Sequence, residues 1–198
     1  MSAIQLQNSS HFHNTSNRHS LLLLVFGGAL LLRLLLAYTT HASVMISPVL
    51  QPGLTGSSLL GPGQFYSAEM FTDYPPGFMY VLYLIGALRS LLQIPYYSDL
   101  HILLLKLPAI LCDIACGFLL YREAVKRLHF SDLQGIFAAS AYLFQPAVIL
   151  NSSCWGQVDS VYTLMIILMC LFLMKGNLLP AYAVYGLGVL LKPQMLIF

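Results

Sequence analysis

Long apolar runs alternate with short polar stretches along most of the chain. The first run, Ser20 to Tyr38, has 19 residues, which is close to the roughly 20 that a helix needs to cross a membrane. Further runs follow at residues 76–93, 101–121, 133–150, 161–174 and 178–191. This pattern predicts an all-α fold, a polytopic transmembrane helix bundle with about five to six membrane segments, some of them broken or re-entrant.

The polar stretches divide the chain into parts. Residues 1–19 are rich in Ser, Asn and His, which predicts a disordered polar tail ahead of a membrane domain at residues 20–198. Residues 39–75 form a long loop rich in Gly, Pro and Ser, which we assign to the external face. Pro146 interrupts the run at 133–150, and because proline breaks or kinks a helix, we expect the backbone there to line a cavity.

The basic residues give conflicting indications of topology. Arg122, Lys126 and Arg127 form the strongest basic cluster, and Lys175 follows a later run. Both positions favour the cytoplasmic side of a membrane. Five full crossings from a cytoplasmic N-terminus, however, place residues 122–127 outside. We therefore expect that one early segment, or the proline-broken one, is re-entrant.

The composition is that of a membrane protein. Hydrophobic residues make up 58% of the chain and charged residues 8%, whereas soluble domains carry about 25% charged residues, so the lipid bilayer is an expected partner. A net charge of +2 leaves no broad basic surface, which argues against nucleic-acid binding. The four cysteines lie mostly in apolar runs, and we expect packing residues rather than disulfides or metal ligands. We predict no metal site and leave dependence on a divalent metal open.

Three charged residues lie within the apolar runs. Arg33 is near the end of the first run and either reaches the membrane interface or faces the interior of the bundle. Lys106 and Asp113 are seven residues apart, so they share one face of a helix, and we expect them to face the interior. There they either contact a ligand phosphate or form a buried charge pair that fixes helix packing.

A polar island, Trp155-Gly156-Gln157-Val158-Asp159-Ser160, lies between two apolar runs. A carboxylate beside hydrocarbon is costly, so Asp159 either belongs to a site or caps the helix that follows. The Trp155 ring either stacks on a sugar or anchors the chain at the membrane interface. A second polar island is Asp73-Tyr74-Pro75-Pro76, whose prolines suit the first turn of a helix.

Several short motifs follow one another in a fixed order. They are Gly61-Pro62 with Phe65-Tyr66, Asp73-Tyr74-Pro75-Pro76-Gly77 with Tyr80, Lys106-Leu107-Pro108 with Asp113, Gln145-Pro146 with Asn151, Trp155-Gly156-Gln157 with Asp159-Ser160, and Lys192-Pro193-Gln194. In order and spacing they resemble the GT-C superfamily of polyprenyl-phosphate-sugar-dependent glycosyltransferases. The likeness is greatest to bacterial membrane proteins related to the second mannosyltransferase of glycolipid-anchor synthesis. It runs from about residue 20 to the end, except at 44–60, and because family members are longer, it implies the N-terminal part of such a domain.

The resemblance implies a multi-pass enzyme of the bacterial plasma membrane that transfers a hexose, or mannose, from a polyprenyl-phosphate donor to an acceptor at the external face. A carboxylate in the first external loop would act as general base, and cations would stabilise the departing lipid phosphate. The candidate catalytic residue is Asp73, which with Glu69 remains as an acidic residue of the loop, although it matches a different position of the motif. The implied substrate-binding residues are Tyr74, Lys106, Asp113, Trp155, Gln157, Asp159, Lys192 and Gln194. The lipid-linked sugar is the donor, and no other cofactor is implied.

The first loop departs from the family pattern. Such proteins place an acidic residue soon after the first helix, followed by Asp-x-x-x-Phe-x-x-Trp, but residues 39–60 contain no Asp or Glu. We hypothesise that residues 44–60 are read out of frame. One nucleotide upstream, the Met45–Ile46 junction encodes Asp, and the junctions Val49–Leu50 and Pro52–Gly53 can encode Phe and Trp at the missing spacing. A product both frame-shifted and truncated would be inactive, and Asp159 would bind and position rather than act as base.

Two other functions fit parts of the pattern. A segment of a polytopic transporter would also use broken helices and intramembrane charges, and a non-catalytic membrane subunit would need no site at all. The long polar first loop and the Trp-Gly-Gln-x-Asp island favour the transferase. An inverted repeat would favour the transporter.

Overall fold

The chain is helical throughout the part that the computed structural model describes, which comprises residues 3–40 and 75–198, with side chains from Arg18 onward. The helices are α1 (Ala3–Thr39), α2 (Pro76–Leu91), α3 (Asp99–Lys126), α4 (Asp132–Leu143), α5 (Pro146–Ile149), α6 (Asp159–Met174) and α7 (Leu178–Leu191). A π-helical turn, Leu150–Trp155, continues α5, and a 3₁₀ segment, Pro193–Ile197, follows α7. The predicted all-α class is confirmed.

Two helical segments, Arg18–Thr39 and α3, are long and apolar enough to cross a membrane. A third span results if α4 and the segment Pro146–Trp155, which are bent by 53°, form one broken crossing. The break lies where the sequence predicts it, and Gln145 Oε1 accepts the Val148 N–H at 2.8 Å, which caps the restarted helix. The helices α2, α6 and α7 have 16, 16 and 14 residues, fewer than a perpendicular span needs, so the expected count of five to six spans is not confirmed.

Local signals explain several helix ends. Pro76 occupies the first turn of α2, where its missing N–H costs nothing. Ser98 Oγ accepts the His101 N–H at the start of α3, and Ser131 with Gln134 forms a capping box at the start of α4. At its own start α1 has helical backbone from Ala3, and thus includes most of the polar stretch at which the sequence predicts disorder.

One end of the bundle carries most of the basic residues. Arg18 Nη1 donates to Asp132 Oδ2 at 3.3 Å, and the Tyr121 hydroxyl donates to Asp132 Oδ1 at 3.0 Å. The beginning of the apolar part of α1, the end of α3 and the start of α4 therefore lie together. Residues 122–127 belong to this end, which we call the basic end.

The opposite end contains the polar island. Thr40 Oγ1 lies 3.4 Å from the Ser153 carbonyl oxygen, and Lys106 donates to the Thr40 carbonyl at 2.8 Å. The end of α1 therefore meets the first third of α3 and the π-helical turn that leads directly into Trp155–Ser160. We call this the island end.

The direction of α6 places Lys175 at the basic end. Leu105 of α3 packs in one buried cluster with Val161 of α6, and further along both helices Asp113 and Thr163 line one cavity. Because α3 runs from the island end to the basic end, α6 runs the same way, and Lys175 follows its last residue.

The short helix α2 packs at the island end. Its buried residues Phe78, Met79, Leu82 and Ile85 join the cluster that contains Leu105 and Val158. A Cβ at Gly77 would lie 2.7 Å from the Leu190 carbonyl oxygen, so the absence of a side chain permits this close approach to α7. Since α2 packs beside the island end, the cluster at 122–127 and Lys175 can share one end of the bundle.

Candidate functional site

Arg33 and Asp113 form an ion pair inside the bundle. Arg33 Nε donates to Asp113 Oδ2 at 3.3 Å, and both side chains are fully buried. The Tyr142 hydroxyl donates to Asp113 Oδ1 at 3.1 Å, and Arg33 Nη1 donates to the Ala29 carbonyl at 3.3 Å. Arg33 thus faces the interior, and Asp113 connects α1, α3 and α4. This geometry corresponds to the alternative of a buried charge pair that fixes helix packing.

Lys106 caps the end of α1. Its ammonium donates to the carbonyls of Ala37 at 3.3 Å and Thr40 at 2.8 Å, and to Thr40 Oγ1 at 3.2 Å. Carbonyls in the last turn of a helix lack intrahelical partners and carry partial negative charge, so they suit a buried cation. The side chain is fully buried and its donors are engaged by the protein, which leaves little capacity for a ligand phosphate.

The polar island turns the chain back towards the π-helical turn. Gly156 ends that turn with φ 68°, a left-handed conformation that glycine adopts without steric cost. The Gln157 N–H then donates to the Asn151 carbonyl at 3.0 Å. This reversal allows α6 to begin at Asp159 beside Asn151.

Asp159 is held from both sides. Its Oδ1 accepts a hydrogen bond from the Lys192 ammonium, and its Oδ2 accepts from Asn151 Nδ2 at 2.9 Å. Lys192 comes from the end of α7, and its Nζ lies 5.1 Å from the centroid of the Tyr162 ring, within cation–π range. The residue before α6, Val158, makes no side-chain hydrogen bond to the first turn of the helix. The Asp159 carboxylate makes its hydrogen bonds across the bundle and does not cap its own helix.

The Asp159–Lys192 pair is only partly buried. The side chains are 36% and 20% exposed, respectively. Burial lowers the pKa of Lys192 from its ordinary value, because removing an ammonium from water disfavours its charged form.

Two cavities meet at this ion pair. A cavity of about 530 Å³, which we call the inner cavity because the fully buried Asp113 lines it, opens to the surface beside the exposed Gln145. Tyr142, Asn151, Asp159 and Thr163 also line it. An outer cavity of about 460 Å³ is lined by Lys192 together with Pro75, Gln157, Leu191 and Gln194. Because Asp159 lines one cavity and Lys192 the other, the pair separates them.

A third cavity adjoins the outer one. It has a volume of about 510 Å³, and its walls, Pro76, Gly77, Tyr80, Met165, Leu190 and Leu191, are almost wholly apolar. Leu191 lines both cavities, and Pro75 of the outer cavity precedes Pro76 of this apolar cavity. A space lined by one cation and two amides among apolar residues therefore lies beside a space that is almost wholly apolar.

The structure brings together five of the predicted site residues and separates others from them. Gln157, Lys192 and Gln194 line the outer cavity, whereas Asp113 and Asp159 line the inner one. Lys106 and Trp155 line none of these three cavities, and Trp155 is 56% exposed, in keeping with an interfacial anchor. Asp73, Tyr74 and the segment 44–60 lie outside the described residues.

Asn151 is the main residue that the predicted set omits. It precedes Asp159 by eight positions in the same polar stretch, but helical spacing from Asp159 gives no sign of contact. The π-helical turn and the left-handed Gly156 bring the two side chains together, and neither feature follows from hydropathy. Tyr142 and Thr40 were also missed, because their contacts cross between helices.

The cysteines carry no cross-link. Cys112, Cys116, Cys154 and Cys170 are free thiols, of which Cys116 is buried and Cys170 is exposed. Among the side chains that the structure describes, those of residues 18–40 and 75–198, no group of three or more His, Cys, Asp or Glu is arranged to hold a metal ion.

Comparison of the chain with protein-family models, with curated proteins and with solved structures finds no match.

Proposed function

We propose that this protein is a membrane-embedded glycosyltransferase that takes a hexose, such as mannose, from a polyprenyl-phosphate donor and passes it to an acceptor at the island end. The observation that carries the proposal is the junction of the outer cavity, which contains Lys192, with the apolar cavity. A lipid phosphate needs both environments at once.

Lys192 supports the phosphate part of this proposal. Its partly exposed ammonium lines the outer cavity, where the amides of Gln157 and Gln194 add hydrogen-bonding groups. A lysine acts as a compact charge that binds phosphate and stabilises negative charge on a departing phosphate oxygen. Among the predicted cations, Lys106 donates to three acceptors at the end of α1. Within the described residues Lys192 donates to Asp159 alone, so it has hydrogens left for a phosphate and the role falls to it.

The apolar cavity supports the lipid part. It lies between α2, α6 and α7, and its walls offer hydrocarbon and aromatic surface for an isoprenoid chain. An isoprenoid chain that enters this cavity leaves the lipid of the bilayer and not water, so the hydrophobic effect contributes little to its binding. The apolar walls accept the chain without burying a polar group, and the preference for a phosphate rests on Lys192.

Asp159 is poorly suited to act as the base. Its two carboxylate oxygens already accept hydrogen bonds from Lys192 and Asn151, and hydrogen bonds to the charged form disfavour proton uptake. We therefore assign it to positioning Lys192. Asp73, which stands two positions before Pro75 of the outer cavity, remains our candidate base.

The proposed orientation in the membrane follows from the two ends of the bundle. The positive-inside rule places the basic end in the cytoplasm, and the island end then faces outward. With α2 beside the island end, the crossings are α1, α3, the broken α4–α5 segment, α6 and α7. Tilt or local thinning accommodates the two shorter helices, and the protein is multi-pass in a bacterial plasma membrane.

Lipid binding and transfer are tested separately, with the full chain in lipid nanodiscs. The probes are a radiolabelled long-chain polyprenyl monophosphate and the matching uncharged polyprenol. We expect the phosphate to bind at least tenfold more tightly, and Lys192→Gln to remove about this factor because one charged hydrogen bond is lost. Lys175→Gln, at the opposite end of α6, is the matched control and should bind as the parent does.

Transfer activity is measured as consumption of a polyprenyl-phosphate hexose by membranes that contain the protein. Asp73→Asn should lower consumption by about 10²-fold or more and leave binding of the polyprenyl monophosphate unchanged. Equal binding of phosphate and polyprenol, or an equal loss in the Lys175 and Lys192 variants, would refute the lipid-phosphate site.

A further inference from the structure

The last turns of α3 carry positive charge that the protein does not balance. Arg122, Lys126 and Arg127 lie there with a single carboxylate, that of Glu123. Arg122 Nε donates to Glu123 Oε1 at 2.8 Å, and Arg127 Nε lies 3.1 Å from Glu123 Oε2. Because three cations share one carboxylate, two positive charges remain for an external anion.

These cations are accessible and have hydrogens to spare. Arg122 is 32% exposed, and within the described residues it donates only to Glu123, through Nε and Nη2, so both hydrogens of Nη1 are left. Lys126 is exposed and makes no hydrogen bond or ion pair in that part of the chain. Asp132, the other acid of the basic end, is paired with Arg18. Guanidinium and ammonium groups with free hydrogens suit a phosphate.

An exposed apolar strip, Leu111 and Phe118, leads along α3 to the cations. Phe118 lies four positions before Arg122 and seven after Leu111, spacings that keep all three on one face of a helix, and Lys126 continues that face. Leu111 and Phe118 are 53% and 52% exposed. Phe26 of α1 packs edge-on against Phe118 with ring centroids 6.5 Å apart, which holds the Phe118 ring in place and leaves its other side open.

The dimensions of this face match one leaflet of a bilayer. Eleven positions separate Leu111 from Arg122, which is about 16 Å along an α-helix, and one leaflet contributes about half of a hydrocarbon core of about 30 Å. Since α3 is long and apolar enough to cross a membrane, the apolar strip lies in hydrocarbon when the cations lie at the headgroups. A soluble acidic partner would reach the cations alone, whereas a lipid with a negative head meets both parts.

We propose that this face of α3 is a binding site for an anionic phospholipid, with its phosphate on Arg122 and Lys126 and an acyl chain along Phe118 and Leu111. Basic groups beside a membrane segment attract anionic headgroups, and the apolar strip aligns the chain below them. The site requires neither Lys192 nor transfer chemistry. It therefore stands whether or not the outer cavity binds a sugar donor.

A tryptophan on the apolar strip reports which lipid lies against it. The reporter is Phe118→Trp in a Trp155→Phe background, which gives the full chain a single tryptophan. The protein is reconstituted in phosphatidylcholine vesicles that contain a small, equal fraction of phosphatidylglycerol or phosphatidylcholine with brominated acyl chains, which quench tryptophan fluorescence. Both lipids have a phosphate, but choline neutralises it in the second. We expect quenching to show a preference of about fivefold or more for phosphatidylglycerol.

Phe137 of α4 supplies the matched control position. It is 75% exposed, and four positions nearer the basic end it is followed by Leu133, which is 67% exposed, where the strip on α3 has Arg122. Phe137→Trp in the same background therefore samples lipid near the same end of the bundle, with an apolar neighbour in place of the cation. The two brominated lipids should quench this second reporter to within about twofold of each other.

Two exposed lysines of the basic end separate a site from general attraction. Lys126→Gln should lower the preference at the α3 reporter by about half or more, and adding Arg122→Gln should abolish it. Lys175→Gln removes the same charge after α6 and should leave the preference unchanged. Native mass spectrometry of the chain without reporter substitutions, released from mixed micelles of the two lipids, should show the same preference for phosphatidylglycerol and its loss in the double variant.

The outcomes divide cleanly. A preference confined to the α3 reporter and lost in the double variant supports the phospholipid site. Equal quenching by the two lipids at the α3 reporter, the same preference at the α4 reporter, an equal loss in the Lys126 and Lys175 variants, or a preference that survives the double variant would overturn it. None of these results involves Lys192 or a polyprenyl lipid, so failure here is distinct from failure of the proposed function.

Discussion

Two ion pairs in this bundle have the same kinds of hydrogen-bond partners but differ in burial. The Asp113 carboxylate accepts hydrogen bonds from Arg33 and the Tyr142 hydroxyl. The Asp159 carboxylate accepts hydrogen bonds from Lys192 and the Asn151 amide. Each carboxylate thus has one cation and one neutral donor. The first pair is fully buried, whereas the second is part-exposed and separates two cavities.

This difference in exposure indicates which charged pair stabilises helix packing and which is available to bind a ligand. Forming a buried pair requires free energy to desolvate both charges. Removing one member is strongly destabilising, because the remaining charge is buried without either its partner or water. A part-exposed pair contributes little to stability, since water can solvate either member alone. Stability should therefore depend on the Arg33 pair, and ligand binding on the Lys192 pair.

The largest expected effect comes from Arg33→Met. This variant leaves the Asp113 carboxylate unpaired in the interior and should cost about 3–5 kcal/mol of stability, measured by thermal or denaturant unfolding in detergent micelles. The matched change Arg18→Met breaks a pair whose members are 39% and 41% exposed and should cost less than about 1 kcal/mol.

A second substitution sharpens that result. Asp113→Asn in the Arg33→Met background removes the unpaired charge and keeps an acceptor for Tyr142, so most of the lost stability should return. If Arg33→Met costs no more than Arg18→Met, burial does not distinguish the two kinds of pair and the comparison fails.

Lys106→Met should have the next largest effect. It leaves the carbonyls of Ala37 and Thr40 without their cation, and loss of charged hydrogen bonds at a buried helix end costs about 2 kcal/mol. Lys126→Met, at an exposed position near the end of the same helix, is the control. Polyprenyl monophosphate binding by the folded Lys106 variant should equal that of the parent; a tenfold loss would restore Lys106 as a phosphate ligand.

The helices themselves follow from sequence physics. Runs of apolar residues predict the positions of α1 and α3, Pro76 predicts the start of α2, and Pro146 predicts the break after α4. The inward orientation of Lys106 and Asp113 also follows, since an unpaired charge in hydrocarbon is prohibitive.

The pairing of those charges does not follow from sequence. Lys106 and Asp113 share a helical face, yet each pairs with groups from other helices. Which helices are neighbours depends on tertiary packing, such as the approach of α2 to α7 at Gly77. The role of Asn151 likewise depends on a π-helical turn, which hydropathy and helix propensity leave unspecified. Motif order alone therefore identified residues of the island but could not distinguish the cavities on its two sides.

Tyr142→Phe tests the neutral donor of the buried pair. The Asp113 carboxylate keeps Arg33 and loses one hydrogen bond, so the expected cost is about 1.5 kcal/mol, smaller than loss of the cation. Circular dichroism melting in micelles measures it, with Tyr182→Phe, at an exposed position on α7, as control. A cost equal to that of Arg33→Met would mean that the hydrogen bond, and not the charge, holds the three helices.

The smallest stability effect is expected for the part-exposed pair. A double-mutant cycle on Lys192→Gln and Asp159→Asn isolates its coupling, and at 20% and 36% exposure we expect about 1 kcal/mol or less. The same variants should differ in ligand binding. Lys192→Gln loses the cation and should lose polyprenyl monophosphate binding, whereas Asp159→Asn keeps the cation but no longer holds it in place, so its phosphate binding should fall by less than that of Lys192→Gln. A coupling of 3 kcal/mol or more with unchanged phosphate binding in both variants would make this pair a second packing device. In that case the two ion pairs would differ only in exposure, and the outer cavity would lose its claim to a lipid phosphate.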